Sequence, residues 1–197
     1  MAADPMDWQQ RYETADTPWN EGAPHPGLLD YINESGPFQG RILVPGCGLG
    51  HDTRGISTGE NSVLGLDIAP GAIAKAQTLP ETGHEEYLVA DLFNLPPALR
   101  SSFDWVVEHT CFCAIDPSMR HAYAAAVAAA LKPGAQMFAI FYLDPAVEGR
   151  PPYGVSIPDL DQFFSPYFTF VRQWVPAHTF PDRESRELIR ILRRLET

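Results

Sequence analysis

The chain has few basic residues and no long apolar run. Lysine and arginine number 14 against 25 aspartates and glutamates, which gives a formal net charge of −11 at pH 7. A nucleic-acid groove needs the opposite sign, so we expect neither a DNA nor an RNA partner. No apolar stretch approaches the roughly 18 residues of a membrane span, and the first residues, MAADPMDWQQ, lack the features of a secretory signal. We therefore expect a soluble cytoplasmic protein with no membrane partner.

Cysteine is also scarce, and its spacing argues against two kinds of site. The three cysteines, Cys47, Cys111 and Cys113, are odd in number and include no C-x-x-C pair. This pattern does not suit a disulfide framework, so we expect free thiols in a reducing compartment. No histidines stand at the spacing of zinc ligands either. We expect no metal.

What the chain does have is an alternation of short apolar runs and helical stretches. Its 197 residues suit one domain. Five apolar runs predict buried strands, and two stretches rich in helix formers predict helices. The strand runs are RILVPG, SVLGLDI, EEYLVADLF, FDWVVEHTCF and AQMFAIFYL, and the helical stretches are APGAIAKAQTL and PSMRHAYAAAVAAALKPG. This alternation indicates an α/β fold with a largely parallel sheet.

The C-terminal part carries three further predictions. FTFVRQWVP and the segment around AHTF fit two late strands, and SRELIRILRRL fits a helix. Basic residues cluster there, and we interpret them as a solvated helix face that begins around Arg183, Arg186 and Glu187. We expect His25 and His178 to be structural or exposed.

The first predicted strand leads into a turn with three glycines, Gly46, Gly48 and Gly50. Glycine lets a ligand approach the backbone closely, and the start of the following helix offers free N–H groups. Asp67 ends the second strand and Asp91 the third, at the same edge of the sheet. An acidic side chain at that edge can accept hydrogen bonds from ribose hydroxyls. We therefore expect a ligand at the carboxyl ends of the strands.

Two other interpretations of the glycine turn stay open. A nicotinamide dinucleotide, and with it an oxidoreductase, requires G-x-G-x-x-G, but the last position of that motif is His51. The turn can also be a tight strand-to-helix connection without a ligand.

The ordered set of motifs is more specific than any one of them. LVPGCGLGHD, VLGLDIAPGAI, VADLF, FDWVVEHTCFCAI and LKPGAQMF together resemble a class I S-adenosylmethionine (SAM)-dependent methyltransferase. RYETADTPWNEGAPHP, FCAIDPSMR and GRPPYGVS are similar to the thiopurine methyltransferase-like family, and within it to the thiol and halide methyltransferases. The resemblance implies one domain with a doubly wound, Rossmann-like, seven-stranded sheet, mostly parallel with the last strand antiparallel. It also implies an N-terminal aromatic lid over residues 1–27.

The resemblance further implies roles for individual residues. The positions that would bind SAM, or its product S-adenosylhomocysteine (SAH), are Trp8, Tyr12, Trp19, Gly46, Gly48, Asp67, Ile68, Asp91, Leu92 and Glu108. Among these, Gly46 would face the methionine part, Asp67 the ribose, and Asp91 with Leu92 the adenine. The substrate positions are Trp19, His109, Tyr142 and Tyr153, and the candidate catalytic residues are His109 and Tyr142.

Structural alternatives accompany several of these roles. Trp8 and Trp19 could cap the sheet as core aromatics. His109 stands where similar enzymes often have tyrosine. It could deprotonate a thiol, because the pKa of histidine lies near neutrality, or only hydrogen-bond in the pocket. Tyr153 could line the substrate pocket or pack its proline-rich loop.

The expected function is methyl transfer from SAM to a small soft nucleophile. Aromatic faces attract the sulfonium cation, and displacement at carbon needs alignment rather than a metal or a covalent intermediate. A thiol or sulfide is the first expected acceptor. A halide, a selenium or tellurium species, and an oxygen or nitrogen acceptor are alternatives, as is a SAM-binding module without catalysis. We expect a small-molecule substrate and a monomer or weak homodimer.

Overall fold

A computed structural model describes residues 6–145 and 149–196. Within these residues the chain forms one seven-stranded sheet in the order β3-β2-β1-β4-β5-β7-β6. Strand β7 runs antiparallel to both of its neighbours, and the pairs among β1 to β5 are parallel. The strands are β1 Arg41–Pro45, β2 Ser62–Asp67, β3 Glu85–Val89, β4 Phe103–His109, β5 Leu131–Tyr142, β6 Phe168–Trp174 and β7 Glu187–Arg194. The predicted doubly wound sheet with an antiparallel last strand is confirmed.

Six α-helices flank the sheet in the described residues. They are α1 Trp8–Glu13, α2 Pro26–Ser35, α3 His51–Ile56, α4 Pro70–Ala76, α5 Arg120–Ala130 and α6 Ile157–Phe164. Helices α1, α2 and α6 were not predicted, although α2 and α6 each have a proline in the first turn and a capping side chain before it. His25 Nδ1 accepts the N–H of Gly27, and Ser156 Oγ accepts that of Asp159. Among residues 6–145 and 149–196, no helix combines the length and apolar character needed to cross a bilayer.

The sheet buries both faces, which explains why its strands are nearly continuous apolar runs. Leu43 and Val106 point into a large cluster that contains side chains of α5 and α6. Ile42 and Val107, one position along, point into a second cluster with Leu28. Each fully buried aliphatic side chain contributes roughly 1.5–3 kcal/mol to stability. The central strands are therefore rigid, and their carboxyl ends form a fixed edge for a site.

The C-terminal segment differs from its prediction. The helix predicted over residues 185–195 is wrong, because Glu187–Arg194 forms β7 between β5 and β6. Its apolar spacing fits a helix as well as a strand. The sheet decides between them, since Leu188 and Leu192 pack on one face and Ile189 and Ile191 on the other. The strand predicted around AHTF is also wrong, because residues 177–180 form a loop.

The N-terminal segment lies across the carboxyl edge of the sheet. Helix α1, which Asp7 caps through the N–H of Gln10, packs on α4. Gln9 Oε1 accepts the N–H of Gly71 at 2.8 Å, and Lys75 Nζ donates to the Tyr12 carbonyl at 2.6 Å. These bonds hold the segment beside the glycine turn. The limits of the predicted domain and lid stay a prediction, since residues 1–5 and 197 lie outside the described residues.

Candidate active site

The glycine turn after β1 has a backbone that side chains would disturb. Gly46, Gly48 and Gly50 have φ values of 60°, 54° and 73°, which favour glycine. A Cβ atom added at Gly46 would lie 2.8 Å from Cys111 Sγ. The turn therefore depends on glycine for its conformation and for its close approach to the segment after β4.

Asp67, at the end of β2, braces this turn. Its Oδ2 accepts the N–H of Gly48 and its Oδ1 that of Ala69, both at 2.9 Å. Burial raises the pKa of Asp67, while these backbone N–H groups oppose the shift. Each carboxylate oxygen can accept more than one hydrogen bond, so the side chain can also receive a ligand hydroxyl. Asp67, at the predicted ribose position, thus also helps to fix the conformation of the glycine turn.

An apolar ledge lies next to Asp67 along the strand ends. Ile68, directly after β2, is 58% exposed, and Val89, the last residue of β3, is 44% exposed. Phe93 follows on the 3₁₀ turn Leu92–Asn94, which Asp91 caps by accepting the Phe93 N–H at 2.9 Å. Leu92 itself is buried. Exposed apolar side chains at this edge suit one face of a planar base.

The three aromatic residues of the N-terminal segment form a single cluster. The Trp8 and Trp19 rings are 5.3 Å apart, the Tyr12 and Trp19 rings are 5.7 Å apart, and both pairs meet edge to face. The Trp19 indole N–H donates to Tyr12 Oη at 3.2 Å. Tyr12 Oη also lies 3.0 Å from where a Cβ of Gly48 would stand, so this ring touches the turn. Burial raises the pKa of Tyr12, with a further contribution from Asp67, so the phenol stays protonated.

A narrow cleft runs from the glycine turn to His109 at the end of β4. It has a volume of about 50 Å³, and Trp19 contributes to its wall. The residues that face it from the other elements include Gly46, Gly48, Asp52, His109 and Phe180. The fold thus brings the predicted cofactor turn and the predicted catalytic histidine to one space.

Two neighbours define the protonation of His109. Its Nδ1 lies 2.7 Å from Asp52 Oδ2, and its Nε2 lies 3.3 Å from Arg183 Nη1. Arginine carries only donors, so Nε2 must present a lone pair and Nδ1 must carry the proton that Asp52 accepts. The Nδ1 side of the ring thus faces Asp52, and the Nε2 side faces Arg183 at the wall of the cleft.

Arg183 is a site residue that the sequence analysis assigned to a solvated helix start. It is only 8% exposed, and its guanidinium lies 5.4 Å from the ring centre of Tyr142 and 5.5 Å from that of Phe180. Nη2 donates to Glu21 at 2.9 Å and Nη1 to Glu187 at 3.3 Å. The solvated interpretation is wrong for Arg183 and for Glu187, which is 1% exposed. Tyr142, at the end of β5, is connected to the site by the contact of its ring with the Arg183 guanidinium.

His25 is fully buried beside His109, whereas His178 is exposed. The His25 ring meets that of His109 at 4.7 Å, edge to face. Its Nδ1 accepts the Gly27 N–H, so Nε2 carries the proton donated to Glu187 Oε2 at 2.8 Å. Burial lowers the pKa of His25, so this ring is neutral too. Its role in capping α2 is structural, and its ring also packs against that of His109.

Three side chains here resemble a metal ligand set, but they do not fit one. One ligand atom each of His25, His109 and Glu187 lies within 4.8 Å of the others. Arg183 Nη1 sits 3.3 Å from both His109 Nε2 and Glu187 Oε1. The Arg183 guanidinium therefore already lies against His109 Nε2 and Glu187 Oε1. The ring nitrogens of His25 are engaged with Gly27 and Glu187.

Of the predicted site residues, Trp19, Gly46, Gly48 and His109 line the cleft, and Glu108 and Tyr153 are among those that do not. Glu108 is fully buried in the core, where its carboxylate accepts the N–H groups of Cys111 and Phe112 and the hydroxyl of Tyr123. Glu108 could therefore influence a bound methionine group only through the backbone of Cys111 and Phe112. Tyr153 is half-buried, and its backbone N–H donates to the Cys113 carbonyl at 2.7 Å. Residues 146–148 of the same proline-rich loop lie outside the described residues.

Comparison with known proteins supplies the family. The family model described as thiopurine S-methyltransferase (TPMT) matches residues 3–186. Thiocyanate methyltransferase 1 of Arabidopsis thaliana is 32% identical over 185 residues, which cover 91% of this chain and 81% of that protein. The 2-heptyl-1-hydroxyquinolin-4(1H)-one methyltransferase of Mycobacteroides abscessus is 30% identical over 159 residues, 77% of this chain and 68% of that protein.

Solved structures agree on the architecture. Burkholderia thailandensis 1,6-didemethyltoxoflavin-N1-methyltransferase, solved with SAH, superposes with a TM-score of 0.74 at 19% identity and covers 99% of this chain and 92% of its own. At this identity the likeness shows the fold. Together with the family match and the glycine turn, it leads to one conclusion: the chain belongs to the thiopurine S-methyltransferase family and is a SAM-dependent methyltransferase.

Proposed function

We propose that this enzyme transfers the methyl group of SAM to a small thiol or sulfide. The relatives named thiocyanate methyltransferase and probable thiol methyltransferase, both 32% identical to this chain, support a soft sulfur acceptor. The observation that carries the proposal is the cleft that joins Gly46 to His109 beside Trp19.

The residues at the strand ends fit the cofactor. The glycine turn would hold the methionine part, the Asp67 carboxylate the ribose, and the ledge of Ile68, Val89 and Phe93 the adenine. When bound, SAM would supply a methyl group attached to a positively charged sulfur. Attack at the methyl carbon displaces that sulfur. The aromatic cluster of Trp8, Tyr12 and Trp19 attracts that cation and excludes water, which strengthens electrostatic interactions in the site.

His109 would form the acceptor side together with Trp19 on the cleft wall and Tyr142, which contacts Arg183, while Tyr153 stays a predicted substrate residue. A thiol is a weak nucleophile until it loses its proton, and His109 is the proposed base, provided that Nε2 exchanges its contact with Arg183 for one with the acceptor. Trp19 and Tyr142 limit the directions from which an acceptor can approach, which aligns its sulfur with the methyl carbon. The chain thereby provides alignment, a dry cleft and one base.

An acidic hydroxyl is the second candidate acceptor. The Mycobacteroides abscessus relative is named as a methyltransferase of a hydroxyquinolone. The Asp52–His109 pair supports this candidate, because a carboxylate that accepts the Nδ1–H orients the ring and makes Nε2 more basic toward a hydroxyl as well as a thiol. The two candidates share one site and differ only in the acceptor atom.

Titration calorimetry with SAH tests the cofactor part. Asp67→Ala removes a charged acceptor that also holds the glycine turn, so we expect at least about tenfold weaker binding. Asp116→Ala, which removes an exposed carboxylate bonded to Ser118, is the matched control and should bind SAH like the wild type. Absence of binding by the wild type, or equal binding by Asp67→Ala, would contradict the proposal.

A product assay tests the acceptor part. The enzyme is incubated with SAM and, in separate reactions, a thiol, bisulfide, iodide, selenite, a phenol and an amine, and methylated products are measured. Methylation of the thiol or of bisulfide is the expected result. Product from the phenol or the amine alone would move the acceptor to oxygen or nitrogen.

Location and assembly belong to the same proposal. Free thiols at Cys47, Cys111 and Cys113 support a reducing compartment, the cytoplasm. The net charge of −11 argues against a nucleic-acid partner. A monomer or weak homodimer is the expected assembly.

A further inference from the structure

Glu21 connects the N-terminal segment to the opposite wall of the cleft. It stands two residues after Trp19, and both residues line the cleft. Its Oε1 accepts a hydrogen bond from Arg183 Nη2 at 2.9 Å, and the Arg183 and Glu21 side chains are 10% and 30% exposed. A charge-assisted hydrogen bond between partly shielded groups is stronger than an ion pair in water. The contact therefore joins two parts of the site that are 162 residues apart in the sequence.

Residues 14–23, which lead from α1 toward α2, have few other contacts with the body of the protein. Most of them are exposed. Asp16 pairs with Arg11, and the backbone hydrogen bonds of these residues also stay within the N-terminal segment. In the described part of the chain, the bond from Arg183 to Glu21 is the only side-chain hydrogen bond that ties residues 14–23 to a residue beyond that segment.

Arg183 is a firm anchor for this bond. Its Nη1 donates to Glu187 at 3.3 Å, and its guanidinium lies near the rings of Tyr142 and Phe180. None of these contacts depends on Glu21. Loss of the Glu21 charge should therefore release the N-terminal segment and leave Arg183 in place.

We propose that Glu21 is a positioning residue, which holds Trp19 over the cleft through its ion pair with Arg183. This inference rests on the proposed function, because it takes the cleft as the place where the cofactor and the acceptor meet. Without the ion pair, Trp19 spends part of its time away from the cleft. The apparent affinity for a ligand that Trp19 covers then falls in proportion to the fraction of molecules that remain closed.

The charge of the cofactor offers a way to separate this role from direct attraction. A carboxylate on the cleft wall could also attract the sulfonium of SAM, whereas SAH has no sulfonium. The Glu21 carboxylate is already paired with Arg183, so we expect its main effect to be on the position of Trp19. A positioning role weakens binding of SAM and of SAH by the same factor.

Titration calorimetry with SAH and with SAM tests this expectation. Glu21→Gln should weaken the binding of both at least about fivefold, because it removes the charge from the hydrogen bond that closes the segment. Glu13→Gln is the matched control. It is an exposed change in the same segment, its partner Gln9 can still donate to it, and it should bind both ligands like the wild type. A loss confined to SAM would assign Glu21 to the sulfonium and overturn the positioning role.

NMR of the ligand-free protein follows Trp19 directly. The Trp19 indole N–H donates to Tyr12 Oη at 3.2 Å. In Glu21→Gln this indole signal should shift and exchange faster with water, while Glu13→Gln leaves it unchanged. Trp19→Phe identifies the signal. An indole signal that is the same in Glu21→Gln and in the wild type would overturn the inference.

Steady-state kinetics gives a third readout. For Glu21→Gln, KM for SAM should rise by about the same factor as the dissociation constant, while kcat at saturating SAM changes by less than about twofold, since bound cofactor restores the closed position. A fall in kcat with unchanged KM would place Glu21 in the chemical step and contradict the positioning role. Equal SAH affinity of Glu21→Gln and the wild type would overturn this inference alone. A wild type that does not bind SAH would overturn the proposed function with it.

Discussion

Glu108→Gln should remove a loss of folding stability that the wild type undergoes as the pH rises from about 5 to about 8. Glu108 is fully buried, and burial raises its pKa from the ordinary value of 4.5 to about 7, although hydrogen bonds from Tyr123 and from the N–H groups of Phe112 and Cys111 oppose the shift. Glutamine has nearly the same shape and can still accept the two backbone N–H groups, but it cannot ionise.

The size and direction of the effect follow from the proton balance. Between about pH 4.5 and pH 7 the unfolded carboxyl has lost its proton while the folded one retains it, so wild-type stability falls as the pH rises through this window. The difference between 4.5 and about 7 corresponds to about 3 kcal/mol in total. Roughly 2–3 kcal/mol of this lies between pH 5 and pH 8. Glu108→Gln should escape that loss.

Urea unfolding followed by circular dichroism measures this effect. The free energy of unfolding of Glu108→Gln, minus that of the wild type, should be larger at about pH 8 than at about pH 5 by roughly 2–3 kcal/mol. Titration of all other groups cancels in this difference. Glu86→Gln, an exposed change in β3, should show no such change with pH. An equal difference at the two pH values would mean that Glu108 is ionised in the fold, and would refute the reasoning.

Two further substitutions separate binding from folding. Trp19→Ala opens the aromatic cluster over the turn, so SAH affinity in calorimetry should fall far more than the Tm of the ligand-free protein; a large loss of Tm with unchanged affinity would return Trp19 to the core. Gly46→Ala combines a left-handed backbone with a collision on Cys111 and should cost about 2–4 kcal/mol in urea unfolding. Gly22→Ala has a similar φ with open space around it and should cost about 1–2 kcal/mol; equal losses would leave the collision without effect.

Most of the central sheet could be predicted from the sequence because its signals are local. The runs at Arg41–Pro45 and Ser62–Asp67 are apolar and bounded by glycine or proline, so strand, turn and helix follow within a few residues of one another. The helix over Arg120–Ala130 follows from its alanine content. The glycine turn and the acidic strand ends sit at the edge where parallel topology places them.

The C-terminal strand could not be predicted in the same way. Leu188, Ile189, Ile191 and Leu192 satisfy a helical and an extended spacing equally, and Arg190 favours a solvated surface. In the fold, Arg190 is buried because Asp161 and Gln173 accept its hydrogen bonds. Because these partners lie far from Arg190 in the sequence, no periodic pattern around Arg190 predicts its burial.

By itself, therefore, the sequence determined the parallel sheet, the glycine turn, the aromatic segment before it and the kind of ligand that they suit. Only the tertiary structure decided which side chains surround His109. Asp52, His109 and Arg183 stand in three separate parts of the chain, yet they meet within hydrogen-bond distance. Their charges and tautomers depend on burial and on contacts between distant segments, and such contacts exist only once the sheet has closed around them.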